Sequence, residues 1–193
     1  DKASPEAFAG LSDYVLNVNG HHASQALQMN PLLEKETWAF FAGYSGYWAG
    51  TRSSLNQANY NLQSNAGLAG ARVALGRAFE LGLFFGVDNG TVKTSFLNGD
   101  LQGQTFGLTA RYSGVNNPWG ATFSLSGANY SSKNTRVTNS GKADSDLSNL
   151  SSVAGALSVQ RRLVNNRKYA VSTDLSVSYS SASGEAFTER NAL

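Results

Sequence analysis

Residues Tyr169–Tyr179 read Tyr-Ala-Val-Ser-Thr-Asp-Leu-Ser-Val-Ser-Tyr and divide by parity into two faces. Tyr169, Val171, Thr173, Leu175, Val177 and Tyr179 share one side, and Ala170, Ser172, Asp174, Ser176 and Ser178 share the other. A period of two predicts a β-strand with one oily and one wet face. Ten residue steps at about 3.3 Å make roughly 33 Å, and a tilt of about 45° leaves about 23 Å of height. That is close to the roughly 25 Å apolar band, rimmed by aromatics, that an outer-membrane barrel presents to lipid. Taken alone, the segment suits equally a soluble barrel or sandwich whose apolar side points inward.

The N-terminal region follows a different period. Ser4-Pro5-Glu6 supplies a cap, a proline at the first helical position and an early acid, which together start a helix. Phe8, Leu11, Val15 and Val18 continue at helical spacing, Asn19-Gly20 marks an expected stop, and a second helical turn or two is expected from His21 to Met29 before Asn30-Pro31. From Trp38 onward the pattern is strands. Trp38 and Trp48 are separated by the same ten steps as the two tyrosines. Gly67–Leu75 and Phe79–Val87 flank a short turn at Gly76-Arg77-Ala78; if Leu75 faces Phe79, then Val73, Leu75, Phe79, Leu81, Leu83, Phe85 and Val87 lie on one face and Gly70, Arg72, Gly82, Phe84 and Gly86 on the other. Further alternating runs place Phe106, Leu108, Ala110 and Tyr112 opposite Thr109 and Arg111. The same parity sets Trp119, Ala121, Phe123 and Leu125 opposite Ser124 and Ser126, and Val153, Leu157, Val159 and Leu163 opposite Ala154 and Ser158. About seven strands result, each longer than the five or six residues usual in soluble sheets.

The connections alternate in length. Gly76–Ala78, Ser113–Pro118 and Val164–Lys168 are short, whereas the stretches near Arg52–Gln57, Asp88–Gly99 and Tyr130–Ser151 read as long polar loops. Bacterial barrels have short periplasmic turns and long outer loops, so the first strand is expected to begin on the periplasmic side. Trp38, Phe79, Tyr112, Trp119 and Tyr169 gather at the short-turn end, with Trp48 and Tyr179 at the opposite rim, as lipid-interface aromatics. Arg161 falls on the oily face near the short turns, where it can snorkel to headgroups. Single-chain bacterial barrels have even strand numbers, and an open sheet edge in lipid leaves backbone groups unsatisfied. Further strands beyond Leu193 are therefore expected.

Composition sharpens the choice between lipid and water outside. Charged residues are 15% of the 193-residue chain, against about 25% in soluble domains. Scarce charge with alternating strands favours an outer face that meets lipid. A formal net charge of +2 gives no ground for a nucleic-acid partner. Cysteine is absent, which excludes disulfides and thiolate chemistry and suits an exported bacterial chain. No apolar run reaches the roughly 18 residues of a transmembrane helix. The sequence opens on Asp1 rather than Met, as expected of a piece of something longer.

A leading helical segment, Trp-Ala-Phe-Phe-Ala-Gly-Tyr-Ser-Gly at 38–46, Gly-Leu-Ala-Gly-Ala-Arg-Val-Ala-Leu at 67–75 and Leu-Gly-Leu-Phe-Phe-Gly at 81–86 together resemble the translocator domain of a classical autotransporter. The resemblance implies an all-β, antiparallel up-and-down transmembrane β-barrel, here partial with about seven strands, preceded by a short helical segment. It divides the chain into residues 1–36, a pore helix with its linker, and residues 37–193, the barrel. It also implies location in the outer membrane of a Gram-negative bacterium and type V secretion of a passenger in cis. The partners it implies are outer-membrane lipid and the barrel-assembly machinery, with no cofactor. Arg72, Arg111 and Asp174, if they face the lumen, are the candidates for contact with the pore helix. The sequence departs from the family in ending Ala192-Leu193 without a terminal aromatic, and Asn17 and Asn19 are not the adjacent pair at which some relatives cleave.

Catalytic constellations are missing. The histidines are His21 and His22, pointing about 100° apart on a helix without the i, i+4 spacing of a zinc pair, so both are expected to be exposed polar residues. The strands offer no histidine for a barrel-rim protease or phospholipase, which argues against an enzyme. Asp88-Asn89-Gly90 reads as a hairpin turn, and Asp144 and Asp146 as solvated loop charges. The rival readings are a porin-like or small structural barrel and a soluble adhesive β-domain. Which face of the strands is buried separates the last from the membrane reading.

Overall fold

In the computed structural model, residues 5–29, 37–51, 60–94, 97–114, 117–138, 141–165, 170–184 and 189–190 are described. A helix, α1 (Pro5–Gln28), precedes seven long strands: β1 (Trp38–Thr51), β2 (Tyr60–Leu75), β3 (Phe79–Thr94), β4 (Leu97–Ser113), β5 (Trp119–Thr138), β6 (Gly141–Asn165) and β7 (Ala170–Ser183). A two-residue strand, β8 (Glu189–Arg190), pairs with β6. The long strands join in sequence order, each antiparallel to the next, and the sheet is open between β1 and β7. It wraps around α1, which touches all seven.

Parity sets the two faces. In β3, Leu83 is 68% exposed while its neighbour Phe84 is 4% exposed. The same alternation leaves Trp38, Phe40 and Trp48 of β1, Phe106 of β4, Phe123 and Leu125 of β5, Leu157 of β6, and Leu175, Val177 and Tyr179 of β7 exposed on the convex side. Ser64, Thr105, Thr109, Ser124, Ser126 and Ser152 are buried on the concave side with the helix. Aliphatic groups outside and hydroxyls inside reverse the arrangement of a water-soluble sandwich, whose strands pack their apolar sides together.

The β2–β3 hairpin pairs Leu75 with Phe79, and Gly76 takes the φ of +78° that the tight connection requires. Elsewhere the connections differ from expectation. The stretches at Asp88–Gly99 and Tyr130–Ser151 are not long loops, because β3 continues to Thr94, β4 resumes at Leu97, β5 reaches Thr138 and β6 starts at Gly141. Asp88-Asn89-Gly90 is mid-strand, paired with Ala66, Asn65 and Ser64, and is not a turn. Asp144 is an exposed strand residue that accepts a hydrogen bond from the Thr135 hydroxyl at 3.0 Å. In the long hairpin, residues 148 and 149 of β6 oppose Ser131, a bulge with Asn149 at φ 65°; asparagine is the non-glycine residue that most readily adopts this conformation.

The expected break at Asn19-Gly20 is also absent: α1 is one continuous helix through Gly20. Its Leu11, Tyr14, Val15, Val18, Asn19, His22, Ala23 and Ala26 are buried, a stripe at i, i+3, i+4 and i+7 spacing. Leu11, Tyr14, Val15 and Val18 pack with Leu62, Val92, Leu97, Leu101, Ala128, Tyr130 and Leu150 in an apolar collar. Ala23 and Ala26 pack with Phe41 and Phe84 lower down. The concave face is therefore not uniformly polar; it carries an oily girdle fitted to the helix. Tyr169 and the loop at Arg52–Gln57 lie outside the described residues, as do the linker at 30–36, the middle of the Ser113–Pro118 turn, the end of the Val164–Lys168 turn, the side chain of Asp146 and Ala192-Leu193.

Candidate functional site

The site is the seam between α1 and the concave sheet face, and three sets of polar contacts fix the helix there. At the short-turn end, Arg72 of β2 donates from its guanidinium to the Ala26 carbonyl, and Arg111 of β4 donates to the Leu27 carbonyl at 2.5 Å. These are among the last carbonyls of α1, which have no partner within the helix. The last turn has no basic residue of its own, so the wall supplies the positive charge that a helix C-terminus favours. Glu80 of β3 stands 3.9 Å from Arg72 and 3.8 Å from Arg111 and offsets part of their charge. The Arg72 guanidinium also lies 5.1 Å from the centre of the Phe41 ring.

Higher up, Tyr14 of α1 donates to the Asp88 carboxylate at 2.5 Å, and Ser64 of β2 donates to its other oxygen at 2.6 Å. The Tyr14 ring meets that of Tyr130 edge-on, with centroids 5.7 Å apart. A Cβ at Gly90 would collide with the Tyr14 hydroxyl and ring, so glycine there lets the helix approach the wall. His22 brings Nε2 to 3.5 Å from the Ser64 hydroxyl. The third set is on the far wall, where Asn19 donates from its side-chain amide to the Ser152 hydroxyl at 3.0 Å.

Serine, histidine and aspartate meet here, yet the arrangement does not suit nucleophilic catalysis. Ser64 gives its proton to the carboxylate rather than to the imidazole, and Ser64 and His22 are both fully buried, with no surface where a substrate could approach. The expectation that both histidines are exposed fails: His22 is on the buried stripe, and His21 is half-buried, its Nε2 3.1 Å from the Gly46 carbonyl. Asp174 of β7 is exposed on the concave parity and accepts a hydrogen bond from Ser158 at 2.5 Å. Arg72 and Arg111 thus converge on the helix end, while the hydrogen bond to Asp174 comes from the wall. On the convex face, the Phe79 and Tyr112 rings are 4.9 Å apart and the Trp38 and Phe40 rings 5.2 Å apart.

Tyr14 and Ser64 did not stand out in the sequence, and Asp88 and Asn19 read there as turn and helix-stop residues rather than as contacts between helix and wall. The signal for Asp88 was present: Gly82, Phe84 and Gly86 set the inward parity of β3, and one further step of two reaches it.

A helix pinned inside a sheet that is oily outside is the geometry of a plugged membrane barrel. The family model described as the autotransporter beta-domain matches residues 40–193. The chain belongs to the autotransporter β-domain family. Autotransporter β-domains lie in the outer membrane of Gram-negative bacteria, and that is the location of this one. Its fold is similar to that of the translocator domain of autotransporter NalP from Neisseria meningitidis, with a TM-score of 0.63 at 12% identity over 92% of this chain and 63% of that one. The chain thus spans less than two thirds of that domain. A weaker likeness, TM-score 0.43 at 10% identity, covers 80% of this chain and 95% of the beta domain of the Bordetella autotransporter BrkA. No curated protein matches the chain.

Proposed function

We propose that this autotransporter β-domain anchors and exports a passenger joined to it in cis. In this reading residues 1–36 are the segment joining passenger to pore and residues 37–193 are barrel wall. The observation that carries it is the direction of the buried helix. Leu11 packs against Val92, Leu97 and Leu101 at the end of the long hairpins, and Ala26 and Leu27 meet Arg72 and Arg111 beside the short turns. β5 and β6, with 20 and 25 residues, run well past the roughly 9–11 that cross the hydrocarbon and extend at the Leu11 end. That end therefore faces the cell surface, and the helix descends from it and delivers the chain to the periplasmic side where β1 begins.

Arg72, Arg111 and Asp174 are lumen residues in this account. The two arginines hold the helix end after export, and Asp174 hydrates the wall. Trp38, Trp48, Phe79, Tyr112, Trp119 and Tyr179 sit at the two lipid interfaces. Lipid and the barrel-assembly machinery are the partners for insertion, and no catalysis is assigned to the domain.

The test is a peptide tag placed before Asp1 in the full-length protein, probed with antibody on intact cells. The tag is expected at the surface, and depletion of the assembly machinery should abolish its display. A tag reached only after the outer membrane is permeabilised, in cells whose barrel is folded, overturns the export reading.

A further inference from the structure

On the convex face stands a cation that plugging and export leave without a task. Arg161 of β6 pairs with Trp119 of β5 and Thr173 of β7, exposed on the same side as Leu157 and Val159. Its guanidinium lies 5.3 Å from the centre of the Trp119 ring. Among the described residues no carboxylate forms an ion pair with it: Glu80 is taken up with Arg72 and Arg111, and Asp174 accepts from Ser158, both on the concave side. A charge on a lipid-facing surface is costly unless it reaches the interface and meets a counter-charge.

Its level supplies one. Phe79, Tyr112, Ala121 and Val159 form a cross-strand row, and Arg161 stands two residues beyond it toward the short turns. We propose that Arg161, stacked on Trp119, binds the phosphate of a glycerophospholipid in the periplasmic leaflet. The planar guanidinium offers parallel N–H groups to two phosphate oxygens, the indole ring holds it in place, and Val159 and Leu157 offer a track for the acyl chains.

The inference rests on the membrane-embedded reading with periplasmic short turns. It is tested on full-length protein folded in detergent, with native mass spectrometry after addition of phosphatidylglycerol, of diacylglycerol without a phosphate, or of inorganic phosphate. Wild type is expected to retain phosphatidylglycerol and neither of the others. Arg161→Gln should retain about tenfold less, Arg161→Lys an intermediate amount, and Arg77→Gln, which removes a charge from the β2–β3 turn, as much as wild type. Equal retention by Arg161→Gln, equal loss in Arg77→Gln, binding of diacylglycerol as good as that of the phospholipid, or binding of inorganic phosphate without lipid overturns the proposal. A folded barrel that gives one of these results leaves the membrane reading standing; failure of wild type to fold in detergent counts against that reading instead.

Discussion

Asp88 is a buried carboxylate whose hydrogen-bonding side-chain partners are hydroxyls: Tyr14 at 2.5 Å and Ser64 at 2.6 Å. Removing one donor leaves a desolvated oxygen unpaired, which costs about 1–3 kcal/mol, so Tyr14→Phe should lower the unfolding free energy of the full-length barrel by that amount, read as a lower urea midpoint at unchanged slope. Asp88→Leu also leaves donors without an acceptor, but the double variant removes both halves of the contact. Its loss in urea titration is therefore expected to be smaller than the sum of the single losses; strict additivity would mean that the two side chains are not coupled. Gly90 tests the same contact by sterics. Gly90→Ala puts a methyl where the Tyr14 ring lies, so it should loosen the helix and raise the conductance of the pore in planar bilayers. At the other end, Arg72→Gln combined with Arg111→Gln leaves the Ala26 and Leu27 carbonyls without their charged donors, and the same recording should show more frequent opening than either single change.

At the scale of elements, α1 and the β5–β6 hairpin make separable predictions. Deleting residues 5–28 from the full-length protein removes the plug and should turn brief openings into a sustained conductance; a barrel still closed would mean that another segment fills the lumen. β5 has 20 residues and β6 has 25, whereas about 9–11 tilted residues cross the hydrocarbon. Replacing the part of the hairpin beyond the bulge at Asn149 with a short turn should therefore leave insertion unchanged, judged by the gel shift of the folded barrel on heating.

These elements also show where the sequence was readable. Where one side of a strand meets hydrocarbon and the other the lumen, as in Phe79–Val87, alternation is strong and the register follows. Past the membrane both neighbours are polar, the period fades, and Tyr130–Ser151 reads as loop although it is paired strand. Asn-Gly misled twice for one reason. It signals a turn when solvent surrounds it, but Gly90 is small to admit the Tyr14 ring, and Asn19 is buried with its amide on Ser152. Both depend on a neighbour more than 70 positions away, which no local pattern reports. The contact of Arg72 with the helix was foreseeable only as parity on a wall; that the helix ends opposite it depends on α1 running unbroken through Gly20.

The whole molecule is defined by which medium touches which face, and two adjacent residues isolate that property. Leu157 and Ser158 are consecutive in β6 and point to opposite sides, Leu157 exposed on the convex face and Ser158 half-buried on the concave one, donating to Asp174. Leu157→Arg places a guanidinium among Phe123, Val177 and their lipid neighbours, since Leu157 pairs with both. Near the bilayer midplane this costs about 2–4 kcal/mol. Ser158→Arg sends the same group toward lumen water and the Asp174 carboxylate, where the charge stays hydrated and gains a counter-ion, so its cost should be well under that of Leu157→Arg. Denaturant titration of the two full-length variants in lipid vesicles, followed by tryptophan fluorescence, measures the difference directly. A soluble adhesive domain with a wetted convex face would behave in the opposite order: arginine at 157 would be nearly neutral, and arginine at 158 would be the change that disturbs the packed side.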